Sequence, residues 1–393
     1  MKTHLLPTEI ITGEGSISAI KDIIERYNST RVLVYLDPIL KEIGLLDKVS
    51  KIIEKTNASY EFYTDIKPEP TIEDGDAAVK KARDFNADLV IGIGGGSCLD
   101  CAKTAAVLAT HEGGVADYLD LTGEMVLNNS GIKTVLISST TGTGAEVTAN
   151  AVFSLGHTKD VITNKYLFAD VAIVDPEVTY TMPPDVTASS GMDALIHAIE
   201  SFTSKGASEL TDALALEAIK KIYKNIRRAV WNGDDKKARS EMSWGCLIAS
   251  LSYPNSLCHG VHSLSYPLGG LFKIPHGKSN AVLLPYVFDF LWPSCTEKMV
   301  RLAEAMEIPT DNLSDREISQ KVVKEFYYLL KDIGLNTTIK EYGIKEEDID
   351  SLAEDAIKQT RLLSKSPRKF NLEDIKNVYN AAYNGEIGGI KID

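Results

Sequence analysis

Asp88-Leu-Val-Ile-Gly-Ile-Gly-Gly-Gly-Ser-Cys-Leu-Asp-Cys-Ala-Lys103 joins two periodicities at three glycines. Leu89 to Ile93 is a short, almost unbroken apolar run, which reads as a strand buried on both faces. Ser97 to Thr110 has the period of a helix. A strand that runs through glycines into a helix is the repeating unit of a parallel sheet. Working outward, Arg31–Asp37, Tyr60–Thr64, Lys133–Ser138 and Val171–Asp175 read as further strands, and Ile39–Lys55 and Ile72–Phe85 as helices between them. The pattern changes after Asp175-Pro176, and Met182-Pro-Pro184 reads as a hinge. From Asp185 on the period is helical, with candidates at Asp185–Phe202, Ser208–Val230, Lys236–Leu251, Ser279–Leu291, Glu297–Ala305 and Arg316–Leu330. The predicted fold class is α/β plus all-α. A parallel-sheet α/β domain takes residues 1–182, an all-helical domain takes 183–393, and the cleft between them is the expected site.

Composition limits the function classes. A chain of 393 residues exceeds one ordinary core. A net charge of −13, with no basic tract beyond pairs such as Arg227-Arg228, argues against nucleic-acid and anionic-membrane partners. No apolar run reaches the length of a membrane span, and the N-terminal residues lack the apolar run of a signal peptide. Five scattered cysteines fit a reducing compartment, so the expected location is the cytoplasm.

Glycines at the end of a strand let backbone N–H groups approach a phosphate, and the following helix adds a partial positive charge. Gly94, Gly95, Gly96 and Ser97 therefore form a candidate phosphate cradle. It lacks the Gly-Lys-Ser/Thr of a P-loop, and no acidic residue follows at the spacing of the usual dinucleotide fingerprint. Asp37, ending an earlier strand, is the candidate for the ribose hydroxyls. Ser138-Ser-Thr-Thr-Gly-Thr-Gly-Ala-Glu146 also follows a strand, and reads equally as a polar turn or as phosphate or nicotinamide contacts. Cys98 and Cys101 lack a second pair to complete a zinc site and read as packing residues.

Two further segments hold four of the seven histidines. In Gly191-Met-Asp-Ala-Leu-Ile-His-Ala-Ile-Glu200, Asp193 and His197 are four residues apart and share a helix face. A carboxylate and an imidazole so placed suit a divalent cation, although such pairs are also common as simple hydrogen bonds. Cys258-His-Gly-Val-His262 and Pro275-His-Gly277 supply His259, His262 and His276. Spacing alone does not choose between His259 and His262.

Taken together these segments resemble the iron-containing (group III) alcohol dehydrogenase family along essentially the whole chain. The carriers are Gly94–Lys103, Thr140–Glu146, Gly191–Glu200 and the Pro275-His-Gly277 turn. The resemblance implies that the parallel-sheet domain is nucleotide-binding and the helical domain metal-binding, for NAD(H) and one divalent metal, Fe2+, with Zn2+ the alternative. It places the metal on Asp193, His197, His262 and His276. Cofactor contacts fall on Asp37, Gly94, Gly95, Gly96, Ser97, Asp100, Thr140, Thr141, Thr143 and Lys159, with Val178 lining the pocket. His259 then falls toward the cleft mouth, against substrate or cofactor, and prolines and glycines at 267–275 break the helix between His262 and His276. Tyr266 stands where many members have a proton-relaying histidine, and Glu69 where many have asparagine; Tyr266 and His259 are the candidate catalytic side chains.

One carboxylate and three neutral imidazoles leave a divalent ion with net positive charge and an open position, which eases removal of a hydroxyl proton. The expected reaction moves a hydride between a nicotinamide and a small primary alcohol or diol, or in reverse to an aldehyde, in a homodimer or higher homo-oligomer. Ligand types alone suit iron, zinc, nickel or cobalt. Rival readings are glycerol dehydrogenase-like polyol oxidation, dehydroquinate synthase-like cyclisation, and a nucleotide sensor without chemistry.

Overall fold

The computed structural model describes residues 4, 6, 9–156 and 158–392. The chain forms two compact units, Leu5–Met182 and Pro183–Asp393.

The first unit contains β1 (Ile10–Thr12), α1 (Ile20–Tyr27), β2 (Arg31–Leu36), α2 (Pro38–Glu42), α3 (Leu45–Ile53), β3 (Ser59–Tyr63), α4 (Ile72–Phe85), β4 (Leu89–Gly94), α5 (Gly96–Leu108), β5 (Lys133–Ser138), β6 (Asn150–Leu155), β7 (Thr158–Thr163) and β8 (Val171–Val174). Six strands pair in the order β1-β8-β5-β4-β2-β3, all parallel, as the alternating pattern predicts. Strand period two sends alternate side chains to opposite faces. Val32, Val34 and Leu36 enter one apolar core with α1 and α3, while Leu33 and Tyr35 enter another with α4 and α5. Both faces of the sheet are therefore covered.

One expectation needs correction here, and one strand pair was not expected at all. The helix expected over Ile39–Lys55 is two helices, because Gly44 takes a left-handed φ of 82° and turns the chain. The antiparallel pair β6–β7 has no counterpart in the sequence reading.

The second unit contains α6 (Pro184–Thr203), α7 (Glu209–Trp231), α8 (Lys236–Ser256), α9 (Gly260–Phe272), α10 (His276–Leu291), α11 (Thr296–Ala305), α12 (Asp315–Asp332), α13 (Ile349–Ala356), α14 (Thr360–Leu363) and α15 (Leu372–Asn384). A two-residue strand pair at Glu386–Ile387 and Ile390–Lys391 follows. From Gly191 to Thr203 every residue of α6 is buried, so this helix is the axis of the unit, with α7, α8 and α10 packed around it. Its polar residues are thereby committed to internal partners.

The break expected between His262 and His276 is present, but at the Pro275 end of the expected stretch and not at Pro267, Gly269 or Gly270. α9 continues through Pro267 and ends where Lys273 adopts φ 58°, and Pro275 caps α10. A Cβ at Gly277 would lie 2.4 Å from the Ser189 carbonyl oxygen. Glycine there lets the start of α10, and so His276, lie directly against α6.

Candidate metal centre and nucleotide loops

α6 presents Asp193, His197 and Glu200 on one face, at the i, i+4, i+7 spacing of a helix stripe. α9 brings His262 to that face and α10 brings His276. Nε2 of His276 lies 3.6 Å and Nε2 of His262 3.9 Å from Asp193 Oδ1, and His197 Nδ1 lies 4.0 Å from Oδ2. The rings of His197 and His262 stack at 4.7 Å, and Tyr253 covers the other face of His197 at 4.1 Å. The side-chain amide nitrogen of Asn280 lies 2.8 Å from Asp193 Oδ1, 3.2 Å from His262 Nε2 and 3.1 Å from His276 Nε2. Three lone pairs from three elements thus converge on one buried point, a donor set complementary to a cation. Asn280 is fully buried, and its Oδ1 has no hydrogen-bond partner among the described residues. The opposite amide orientation would turn that oxygen against three acceptors.

Electrostatics follow from the burial. Desolvation raises the Asp193 carboxyl, but His197, His276, His262 and the Asn280 donor outweigh it and hold Asp193 below the ordinary carboxylate range. Desolvation likewise raises Glu200, yet His259, His262 and the Val261 amide bring it down to about 2. Burial pushes the Tyr266 phenol up, and its ring lies 6.2 Å from that of His276. Tyr266 accordingly keeps its proton at neutral pH more firmly than an ordinary tyrosine.

His259 is corrected outright. It is completely buried and caps α9: its Nδ1 accepts from the Gly260 amide at 2.7 Å, and its Nε2 lies 2.9 Å from the Thr203 hydroxyl. Burial lowers its pKa, so it is neutral. A helix cap with no accessible surface is not placed to touch a substrate. The sequence reading also passes over Glu200, Asn280 and Cys258, whose Sγ forms with His197 and His262 a second close group of metal-type donors. Helical spacing carries a signal for Glu200 from Asp193 and for Asn280 from His276, each on a shared face.

In the α/β unit, Gly94 ends β4, Gly95 caps α5 and Gly96 begins it. A Cβ on Gly94 would meet Cys98 Cβ at 2.5 Å and Asp37 Cβ at 3.0 Å, so β4 passes into α5 only because that side chain is missing. The second loop packs against the first: Thr140 lies next to Gly95 and Thr143 next to Gly96, and the Ser139 amide donates to the Gly94 carbonyl at 2.9 Å. Thr141 is buried, and its hydroxyl has no hydrogen-bond partner among the described residues. Asp37 is half-buried and caps α2, its carboxylate accepting from Ile39. Ser97 Oγ accepts from the Glu69 amide at 3.1 Å, and the Glu69 carboxylate pairs with Lys159 at 2.8 Å. Asp100 is turned inward to Lys103 at 3.0 Å and the Val152 amide at 3.0 Å, which ties α5 to β6. Val178 is 5% exposed, in the core beneath the sheet. Cys98 and Cys101 are buried, with burial pushing both thiols up, as packing residues require.

Residues 7–176 match the family model described as iron-containing alcohol dehydrogenase, and residues 187–383 match its C-terminal domain, Fe-containing alcohol dehydrogenase family. The chain is 47% identical to long-chain-alcohol dehydrogenase 1 of Geobacillus thermodenitrificans over 95% of each protein. It is 31% identical to the NAD-dependent methanol dehydrogenase of Bacillus methanolicus, over 97% of this chain and 100% of that one. Among solved structures, a 1,3-propanediol oxidoreductase superposes with a TM-score of 0.93 at 31% identity, covering 98% of this chain and 100% of the other. With both units matched in order, the chain belongs to the iron-containing alcohol dehydrogenase family and is an NAD-dependent alcohol oxidoreductase.

Proposed function

We propose that Asp193, His197, His262 and His276 hold one divalent metal ion, Fe2+ or alternatively Zn2+, and that the enzyme interconverts small primary alcohols or diols with their aldehydes. The observation that carries this reading is the convergence of Asp193 Oδ1, His262 Nε2 and His276 Nε2 on a single amide nitrogen. When bound, the metal supplies a Lewis acid that eases loss of an alcohol's proton or polarises a carbonyl, and NAD(H) supplies the hydride acceptor or donor. The chain contributes preorganisation. Asp193 stays ionised, His197 is held between Tyr253 and His262, and burial excludes water from all three.

For the cofactor, the amides of Gly95, Gly96 and Ser97 at the start of α5 suit a pyrophosphate, with Gly94 giving the approach. Asp37 suits the ribose hydroxyls, and Thr140, Thr141, Thr143 and Lys159 the phosphates or the nicotinamide amide. Asp100 acts by fixing α5, and Val178 by filling the core beneath the sheet. Tyr266 stands beside His276, and its firmly held proton suits donation of a hydrogen bond better than relay.

Relatives named for long-chain alcohols, methanol and propanediol leave chain length to be measured. They give no specific support to the glycerol dehydrogenase-like alternative. The test is anaerobic NADH oxidation across straight-chain aldehydes, lactaldehyde, 3-hydroxypropanal and succinic semialdehyde, with iron or zinc restored separately. No turnover with any of them would sink the proposal. The free cysteines support a cytoplasmic location. Exposed Leu121 and Val126 support a homodimer or higher homo-oligomer, to be read by light scattering.

A further inference from the structure

We propose that Glu200 is the positioning residue of this centre: it fixes the proton of His262 on Nδ1, so that the Nε2 lone pair is directed at the metal. The inference rests on the reading of His262 as a ligand.

Glu200 is completely buried, as is Ser201 beside it. Its two oxygens face the first turn of α9. Oε1 accepts from the Val261 amide at 2.6 Å; Oε2 lies 2.5 Å from His262 Nδ1 and 3.4 Å from the His262 amide. A carboxylate can only accept in these contacts, so Nδ1 of His262 carries the hydrogen. That leaves Nε2 as the acceptor, which is the atom turned toward Asp193 and Asn280. The same carboxylate therefore sets both the ring's tautomer and the position of the backbone that carries it.

The neighbouring histidine meets the same carboxylate on different terms. Nδ1 of His259 accepts from the Gly260 amide, so its hydrogen is on Nε2, and Thr203 receives it while donating its own hydroxyl to the Ile199 carbonyl at 2.8 Å. His259 and His262 thus hold opposite tautomers within one turn. Glu200 Oε1 also lies 3.2 Å from His259 Nδ1, but the short contact, 2.5 Å from Oε2, is to Nδ1 of His262, the arrangement that orients metal-bound imidazoles and raises their basicity. Glu200 and Asp193 lie on the same face of α6, so one helix provides both a ligand and the support for another.

Glu200→Gln keeps size and shape and can still accept from Val261. Its NH2 group, however, faces His262 Nδ1 and favours the tautomer with the hydrogen on Nε2, against the metal. Metal affinity is measured by chelator competition on the full chain, with Co2+ or Zn2+ alone. The expected result is binding about 10–100-fold weaker in E200Q than in the parent. In a His262→Ala background, E200Q should change affinity little, because its effect passes through that ring. E200Q within about twofold of the parent, or full additivity of the two substitutions, overturns the proposal. So does a Cys258→Ser variant that loses metal while E200Q keeps it, since the thiol is the rival group against His262. Should E200Q fail to fold, nitrogen-15 histidine spectra of the chelated parent decide, with His262 assigned by the signal lost in His262→Gln. Hydrogen on Nδ1 supports the role, and hydrogen on Nε2 refutes it. A parent that binds no metal would instead defeat the functional reading itself.

Discussion

The amide of Asn280 donates to the carboxylate of Asp193 at 2.8 Å, and the same nitrogen reaches two imidazoles from elsewhere in the helical unit. A single NH2 group, with two hydrogens, thereby stands among three acceptors that the proposed metal ion would bind. Asn280→Ala leaves the buried Asp193 and His262 acceptors without this donor, at a cost of about 1–3 kcal/mol. The cost falls on chelated protein, because metal satisfies the same lone pairs. Melting curves should show a clear drop for chelated N280A, a smaller drop when loaded, and hence a larger metal-induced shift than in the parent. Equal drops in both forms would contradict this.

His262 and His259 separate by role. His262→Ala should lose most bound metal and nearly all turnover. His259→Ala should keep metal near the parent stoichiometry but destabilise the fold by on the order of 2 kcal/mol, through loss of a buried cap and a cavity. Elemental analysis and melting of the two purified variants test the pair. A metal-free H259A alongside a metal-bound H262A would reverse the assignment.

Asp37 follows β2 beside Gly94, where its carboxylate would accept from a ribose hydroxyl and repel a 2′-phosphate. NADH should therefore be preferred over NADPH, about tenfold for each 1.4 kcal/mol of repulsion. Asp37→Gly should narrow the gap in kcat/KM. Equal efficiencies in the parent would remove this role.

Glu146 gives a pH dependence of stability. Burial raises its carboxyl from 4.5 to about 7, against a weaker pull from its own backbone amide and from Lys103. The folded state then binds the proton more tightly than the unfolded chain, so stability falls as pH rises from the unfolded value through about 7. The span corresponds to about 3 kcal/mol. Glu146→Gln should remove that decline and be the more stable form at pH 8. Parallel pH–melting profiles for parent and variant would rule it out.

Local rules made much of this molecule readable. The run Leu89–Ile93 is apolar on both faces because the sheet is covered on both, and Asp193 and His197 meet because the helix repeat alone brings them together. His276 and His262 needed the family resemblance, since their approach depends on where α9 ends, and proline was a poor guide to that. Pro267 sits inside α9, while Lys273, a residue with no special turn chemistry, takes the left-handed conformation. The place of His259 was hidden for a related reason. Its partners, Thr203 and Gly260, come together only after α6 and α9 pack, and nothing in Cys258-His-Gly distinguishes a cap from a ligand. The β6–β7 pair was missed because its side chains alternate weakly, and its first strand is anchored by Asp100 from a distant helix.

From Gly191 to Thr203 α6 is buried, its polar face against His262, His276 and Asn280 and its remaining faces in an apolar core that owes nothing to a metal. The order of maturation follows. The expected order is that the helical core closes first, with the carboxylate and imidazoles already gathered, and that the proposed ion enters a finished framework. In a cell starved of metal, this enzyme would build up as a well-folded reserve that later supply can switch on without new synthesis. Restoring metal after translation has been stopped should bring activity back; failure to recover would show that loading belongs to folding.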